Sequence, residues 1–335
     1  PLLRPHHTTH FLNKITLIPV VIVVLVLIVS SRPSRLNLTG AHVMITGGSS
    51  GIGLEVAKEC ARQGGFVSLV ARNEQRLKQA KSEVEEHLKG GGDRQCVTIL
   101  PLDVSESYGK VQEGIRKVEE KLGPVDVLVN CAGVSHAEVF EDTPAEKFEW
   151  LMKINYLGSV YCTKAVVSGM KLRKKGRIAF VSSQAGQTGV FGYTGYAATK
   201  FALRGLAETL QMEIKPYNMA VTISFPPDTD TPGFHSEDDT KPEETRLISE
   251  TAGLFSAEVV AKSLVRDIVR GEFVNTIGLD GFILGNLTVG MAPCNSVVSA
   301  TLQVILMSPL RIVALAYLKS FDVIVAKCAR KKDLP

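Results

Sequence analysis

Apolar residues along this chain gather in short unbroken runs. Those at 42–45, 66–70, 97–102, 125–130, 177–182 and 220–225 are of strand length. Between them lie helix-length segments at 54–63, 74–88, 108–122 and 197–215. Strands that are apolar on both faces must be covered on both faces, and helices alternating with them provide the cover. The pattern therefore predicts an α/β protein with a doubly wound parallel sheet. A helix over 257–270 and a strand at 273–277 would complete it, and neither an internal repeat nor a low-complexity tract interrupts it.

Two segments depart from this rhythm. Residues 15–29 read ITLIPVVIVVLVLIV, uncharged and with one proline. Extended back to Phe11, the run approaches the ~20 residues that cross a bilayer. A signal peptide has an apolar run of ~7–15 residues and then a small-residue cleavage site; here the chain continues Ser30-Ser31-Arg32-Pro33-Ser34-Arg35. The expectation is an uncleaved transmembrane anchor over about 11–30. Arg32 and Arg35 would hold the following domain in the cytosol, with Arg4 and Lys14 pulling the other way. At the opposite end, residues 282–327 are apolar, with Arg311 and Lys319 as the main interruptions. They read as a helical cap or dimer contact, which leaves a homo-oligomer open, or as a segment resting on a lipid bilayer. Periodicity does not choose between these. Lys331-Lys332 reads as solvated charge. The expected division is 1–39 for anchor and linker, 40–281 for the cofactor-binding domain and 282–335 for the apolar extension.

Composition changes this picture little. Of 335 residues, 45% are hydrophobic and 21% charged, enough apolar material for a sizeable core. A net charge of +4, with no basic stripe interleaved with aromatics, argues against nucleic-acid binding. The six cysteines (Cys60, Cys96, Cys131, Cys162, Cys294 and Cys328) form no CxxC pair and have no histidines at zinc spacing. This usage predicts no metal site and fits reduced thiols.

The first strand runs straight into Thr46-Gly47-Gly48-Ser49-Ser50-Gly51-Ile52-Gly53 and then a helix. Glycines in such a turn let the backbone approach a pyrophosphate, whose oxygens meet the N–H groups of the helix start. Gly47, Ser49, Ser50, Gly51, Ile52 and Gly53 are therefore candidate dinucleotide-binding residues. About 20 residues further on, an NAD enzyme places an acid against the ribose hydroxyls. This chain has Ala71-Arg72-Asn73 instead. Arg72, with Arg76 one turn later, offers a guanidinium fork for the 2′-phosphate of NADP. Asp103, after the third strand, is placed to meet the adenine amino group.

With these residues in view, the chain resembles the short-chain dehydrogenase/reductase family. Thr46–Gly53 matches its TGxxxGIG signature and Asn130-Cys131-Ala132-Gly133 its NAG motif. Asn155, Ser183, Tyr196 and Lys200 fall where that family keeps its catalytic Asn, Ser, Tyr and Lys. The resemblance covers about 40–281 and implies a Rossmann fold binding NADPH or NADP+. Within the family, the stretches 181–191, 226–234 and 241–250 are most similar to members that reduce long-chain sphingoid ketones. That implies such a ketone as substrate, and a site on the cytosolic face of the endoplasmic reticulum membrane. Membrane-anchored family members acting on steroids or retinoids are the alternative, and a nicotinamide-sensing scaffold without turnover is a third. One departure stands out: Pro226-Pro227 occupies the family's Pro-Gly. Proline lacks an N–H and fixes φ, which puts the family's backbone contacts to the nicotinamide amide in doubt. Thr231 matches the family's threonine and offers a hydroxyl instead.

The roles follow from residue chemistry. Tyr196 and Lys200, four apart, share a helix face. A free phenol has a pKa near ~10; the Lys200 ammonium should lower it, so that Tyr196 gives a proton to a carbonyl oxygen. Ser183 would hold that carbonyl. Ser182 is its rival, but the spacing of thirteen residues to Tyr196 favours Ser183. Asn155 is expected in a helix, positioning a water in a relay from Lys200. Asn130 is expected to stabilise the fourth strand and the cofactor pocket. Past the sixth strand, one of Asp228, Asp230 and Glu237 is expected to pair with a substrate ammonium.

Overall fold

A computed structural model describes residues 33–88, 97–237, 240–250, 253–294 and 296–332. The expected anchor at 11–30 and Cys96 lie outside the described residues. The strands are β1 (His42–Thr46), β2 (Phe66–Ala71), β3 (Val97–Pro101), β4 (Val127–Asn130), β5 (Gly176–Val181), β6 (Met219–Phe225), β7 (Thr229–Asp230), β8 (Phe255–Ser256) and β9 (Val274–Thr276). The helices are α1 (Gly51–Arg62), α2 (Glu74–Glu85), α3 (Tyr108–Leu122), α4 (Ala145–Met152), α5 (Gly158–Arg173), α6 (Thr194–Ile214), α7 (Pro232–His235), α8 (Glu243–Ser249), α9 (Ala257–Arg270), α10 (Gly278–Leu287) and α11 (Val297–Lys332). One π-helical turn, Lys153–Leu157, joins α4 to α5.

Seven strands form one parallel sheet in the order β3-β2-β1-β4-β5-β6-β9, and β7 pairs with β8 apart from it. The apolar runs explain the arrangement. Strands β1, β4, β5 and β6 are buried at every position, so both sheet faces need cover. One face packs against α1, α2 and α9 through Val56, Leu77 and Leu264. The other packs against α3, α5 and α6 through Ile115, Met170 and Leu203. Helix α9 illustrates the local cause. Val260, Ala261, Leu264, Val265 and Ile268 make a buried stripe at helical spacing. The Ser256 side chain caps its first turn by accepting from Val259 N, and Gly271 ends it at φ +68°.

The order reverses between β1 and β4, whose chains leave in opposite directions and open a crevice at their carboxyl ends. The opposite edge receives the leading segment. Leu36 N donates to the Val269 carbonyl at 2.9 Å, and Arg177 Nη2 donates to the Ser34 carbonyl at 2.6 Å. Residues 34–36 are thereby held at the amino ends of the strands.

The C-terminal apolar stretch is two helices, with residues 288–296 between them. The border expected at 281 falls inside α10. Helix α11 contains Pro309, is long and apolar enough by composition to cross a membrane, and leaves most of its surface uncovered. At 1.5 Å per residue it runs for about 54 Å. It packs on α10 and α8, and Lys331 Nζ meets Glu243 Oε1 at 2.9 Å. Lys331 remains exposed, as expected of solvated charge, and pairs with Glu243 at the surface. The five described cysteines are free thiols.

Candidate active site

The crevice holds a continuous cavity of about 1340 Å³. That exceeds the roughly 300–1,000 Å³ common for a single small ligand, which leaves room for a dinucleotide and a second molecule. Its floor is the glycine turn. Gly47 sits at φ +69°, a region that side chains avoid, and a Cβ there would come within 2.9 Å of Ala132 N. A Cβ on Gly53 would lie 2.4 Å from the Gly47 carbonyl. The turn therefore closes on itself only with glycine at both positions. The Ser50 side chain does not cap α1, so the helix start keeps its N–H groups for a ligand. Gly47, Ser49, Ser50, Gly51, Ile52 and Gly53 all line the cavity.

At one end the cavity is bordered by Arg72, Arg76 and Asp103. Both arginines are exposed, with their charges directed by the end of β2 and the first turn of α2. Asp103 Oδ1 accepts from Ser105 N at 2.9 Å and Ser105 Oγ at 2.6 Å. Burial opposes its charge, but those bonds and the Arg72 guanidinium outweigh burial and hold the carboxyl below its usual range. These residues and the glycine cradle fit a phosphorylated dinucleotide.

The loop after β4 forms the wall, and Thr46 fastens it. Its Oγ1 accepts from both Cys131 N and Ala132 N at 3.1 Å. Asn130 and Asn155 stand behind this wall rather than in the cavity. Asn130 is buried and donates to Thr163 Oγ1 at 3.1 Å, as a strand-stabilising residue would. Asn155 lies in the π-helical turn. Its Oδ1 accepts from Val134 N at 2.8 Å, and its Nδ2 donates to the Val134 carbonyl at 2.9 Å and Thr199 Oγ1 at 3.0 Å. Both amide protons are thereby used on protein groups, and the side chain clamps the 131–134 loop to α6.

Ser183, Tyr196 and Lys200 meet in the middle of the cavity. Ser183 follows β5 and its Oγ accepts from Ala185 N at 3.1 Å, which leaves the hydroxyl proton to donate. Ser182 Oγ is instead buried and donates to the Lys200 carbonyl at 3.1 Å, which uses its proton within the protein. Lys200 Nζ donates to the Val181 carbonyl at 3.0 Å and stands 5.4 Å from the centroid of the Tyr196 ring.

The titration of the pair departs from the sequence expectation. Burial, then the charge of Glu237, pushes the Tyr196 phenol up, and the Ser183 hydroxyl draws it part of the way back. Lys200 is not among the groups that set this shift, and burial pushes the lysine itself down to about 8. Thr231 caps α7 by accepting from Phe234 N at 3.1 Å, with its side chain against Gly51. Both prolines border the cavity and supply carbonyls but no N–H: Pro226 accepts from Gln184 N, and Pro227 from Thr229 Oγ1. Thr231 thus keeps the donor that this stretch of backbone lacks.

Three features were not read from the sequence as parts of the site. Thr46 was visible only as a motif letter. Tyr193, one turn before Tyr196, donates to Glu237 Oε2 at 2.7 Å. Finally, α10 and α11 close the far end of the cavity with Ile283, Leu287, Met307, Ala314, Leu318 and Phe321.

The short chain dehydrogenase family profile matches residues 41–242, and the chain belongs to the short-chain dehydrogenase/reductase family of oxidoreductases. It is 56% identical over 300 residues to the 3-ketodihydrosphingosine reductase of Bos taurus, covering 90% of each chain. It is 53% identical over 306 residues to the 3-dehydrosphinganine reductase of Danio rerio, covering 91% of each. Against the 3-dehydrosphinganine reductase TSC10A of Arabidopsis thaliana the identity is 37% over 294 residues, covering 87% of each.

The Lys200 shift has a measurable consequence. The folded protein holds this lysine's proton less tightly than the unfolded chain does, so the unfolded chain binds more protons between about pH 8 and 10.5. Burial of Lys200 therefore costs stability below pH 8, and that cost is relieved as pH rises through this window. In thermal unfolding without cofactor, Lys200→Met should exceed wild type most at pH 7, and the gap should narrow by pH 10.

Proposed function

We propose that this chain uses NADPH to reduce 3-ketodihydrosphingosine to dihydrosphingosine, a step of sphingolipid synthesis. The observation that carries the proposal is one cavity that joins the glycine turn, the Ser183, Tyr196 and Lys200 cluster and the apolar inner faces of α10 and α11. The names of relatives at 53–56% identity support the same substrate. Arg72 and Arg76, with no acid at the end of β2, favour the 2′-phosphorylated cofactor.

Bound NADPH supplies the hydride. The protein's part is to hold the ketone and move a proton. Ser183 Oγ donates to the carbonyl oxygen and orients it. Tyr196 gives that oxygen its proton as the carbon is reduced, and its raised proton affinity keeps the acid loaded until then. Lys200, poised to gain or lose a proton near pH 8, carries the positive charge that steadies the phenolate left behind. Asn155 keeps Gly133 and Val134 seated against this group.

A sphingoid ketone has about fifteen methylenes, and burial of each favours an apolar setting by ~0.8 kcal/mol, so it resides in membranes. Met307, Ala314, Leu318 and Phe321 line the cavity, Met307 and Leu318 while still partly exposed, and Val304, Ile305, Ile312 and Leu315 are more exposed on the same helix. We infer that α11 lies against a bilayer with one side and receives the alkyl chain with the other. The location inferred is the endoplasmic reticulum, with the catalytic domain in the cytosol.

Cofactor absorbance on detergent-solubilised protein tests the chemistry. NADPH should be consumed with the amino ketone, NADH much more slowly, and Tyr196→Phe should lower kcat by about 10²–10⁴-fold. Consumption with a steroid or retinal but not the amino ketone would move the substrate and keep the mechanism. Topology has its own reporter in the exposed sequon Asn37-Leu38-Thr39. Expressed in cells with an endoplasmic reticulum, the chain should carry no glycan on Asn37; a glycan there would put the domain in the lumen.

A further inference from the structure

The proposed substrate differs from steroids and retinoids by a charged group, an ammonium on the carbon next to the ketone, and a role for the protein in recognising that group rests on this substrate reading. A site for the ammonium must present an acceptor one carbon away from the carbonyl held by Ser183 and Tyr196. Three carboxylates come from the right stretch of chain. Asp230 is turned outward: it is largely exposed, does not border the cavity and pairs with His235 Nε2 at 2.8 Å. Asp228 and Glu237 both border the cavity.

Glu237 is set apart by its placement. Tyr193 Oη fixes its Oε2 at 2.7 Å, and the Tyr193 ring packs 5.3 Å from the ring of Tyr196. Its charge is felt at both Tyr196 and Lys200, whereas Asp228 acts on Tyr196 less strongly and is not felt at Lys200. Glu237 makes no ion pair among the described residues. Lys241, stacked 4.6 Å from the centroid of the Phe234 ring, draws its proton affinity down from beyond ion-pair distance. Ser135 Oγ lies near the carboxylate, buried and without a hydrogen bond of ordinary geometry among the described residues. Burial nevertheless wins and pushes the carboxyl above its usual range. A half-buried carboxylate that raises the proton affinity of the catalytic phenol is unfavourable by itself. A cation arriving beside it would remove both penalties.

We propose that Glu237 receives the substrate ammonium, with Tyr193 holding the carboxylate toward the ketone site. Glu237 is thereby a specificity-determining residue, and it couples recognition to chemistry: the ammonium that satisfies the carboxylate also cancels its upward push on Tyr196. The hydrogen-bonded loop from Asp228 to Glu237, including the short α7, is the frame that carries it.

The test compares two ketones of equal chain length, 3-ketodihydrosphingosine and its analogue lacking the amine, by the ratio of their kcat/KM values. Wild type should favour the amino ketone. Glu237→Gln should lower that ratio by about tenfold to a hundredfold, chiefly through KM for the amino ketone. Glu237→Asp should recover part of it, and Tyr193→Phe, which leaves the carboxylate in place, should lower it by less. NADPH binding, followed by fluorescence, reports that each variant retains its fold. An unchanged ratio in folded Glu237→Gln, or a loss that appears in Asp228→Asn instead, would overturn the assignment. A wild-type enzyme that reduces both ketones equally would also overturn it while leaving the reaction intact. A wild type that reduces neither ketone would sink the substrate reading along with it, so the two failures are distinguishable.

Discussion

The site depends on the parallel pairing of β1 with β4 at the point where the sheet order reverses. Thr46, the last residue of β1, is in register with Asn130, the last of β4. The two chains then part in opposite directions, and the glycine turn and the 131–134 wall border the gap between them. The Thr46 hydroxyl keeps the gap at a fixed width by accepting two N–H groups from the departing β4 chain. A shift of register by one residue would carry Cys131 N and Ala132 N away from Thr46 Oγ1 and would break this clasp. The apolar character of both strands on both faces demands burial against two helical layers, which clamp the pair between them. Ordinary core packing thus holds the cofactor floor and the catalytic wall at matching heights.

In the cavity that opens there, Lys200 is buried and Ser183 and Tyr196 are half-buried. Burial favours the uncharged form of each group: it keeps the Tyr196 phenol protonated, which suits a ketone reductase, and draws the Lys200 ammonium down to about 8. A loaded phenol donates readily to an oxygen that is gaining charge. The lysine's charge steadies the negative phenolate that forms beside it. The same burial makes Glu237 costly where it stands, and a costly carboxylate beside a catalytic acid calls for a cationic partner in the substrate. Recognition and proton transfer therefore draw on one low-dielectric pocket.

Much of this was legible from the chain. The strands of the main sheet could be placed within about two residues because each is an apolar run bounded by glycine or charge. Glycine positions, Ser183, Tyr196 and Lys200 were readable because their chemistry is tied to fixed spacing. Asn155 was expected in a helix, but its π-helical turn and its use of both amide protons depend on a tertiary contact with Val134 and Thr199. Without cofactor the Tyr196 phenol is pushed up rather than down, since counting the neighbouring charge of Lys200 left out the cost of burial at both groups. Three acidic residues could be named after β6, yet choosing among them required knowing that His235 occupies Asp230 and Tyr193 orients Glu237. Helix α11 was opaque for a different reason. It is apolar around most of its circumference, so periodicity could not reveal that one side faces the cavity and the other stays uncovered.

The central claim is direct hydride transfer to the ketone carbon in this pocket. It is tested most directly by incubating the purified chain with the amino ketone and NADPH deuterated on the transferring face of the nicotinamide C4. Mass spectrometry of the product should show one deuterium on the new carbinol carbon, and Tyr196→Phe should form that same labelled product far more slowly. Product formed without deuterium from either face, or cofactor oxidised with the ketone left intact, would contradict it.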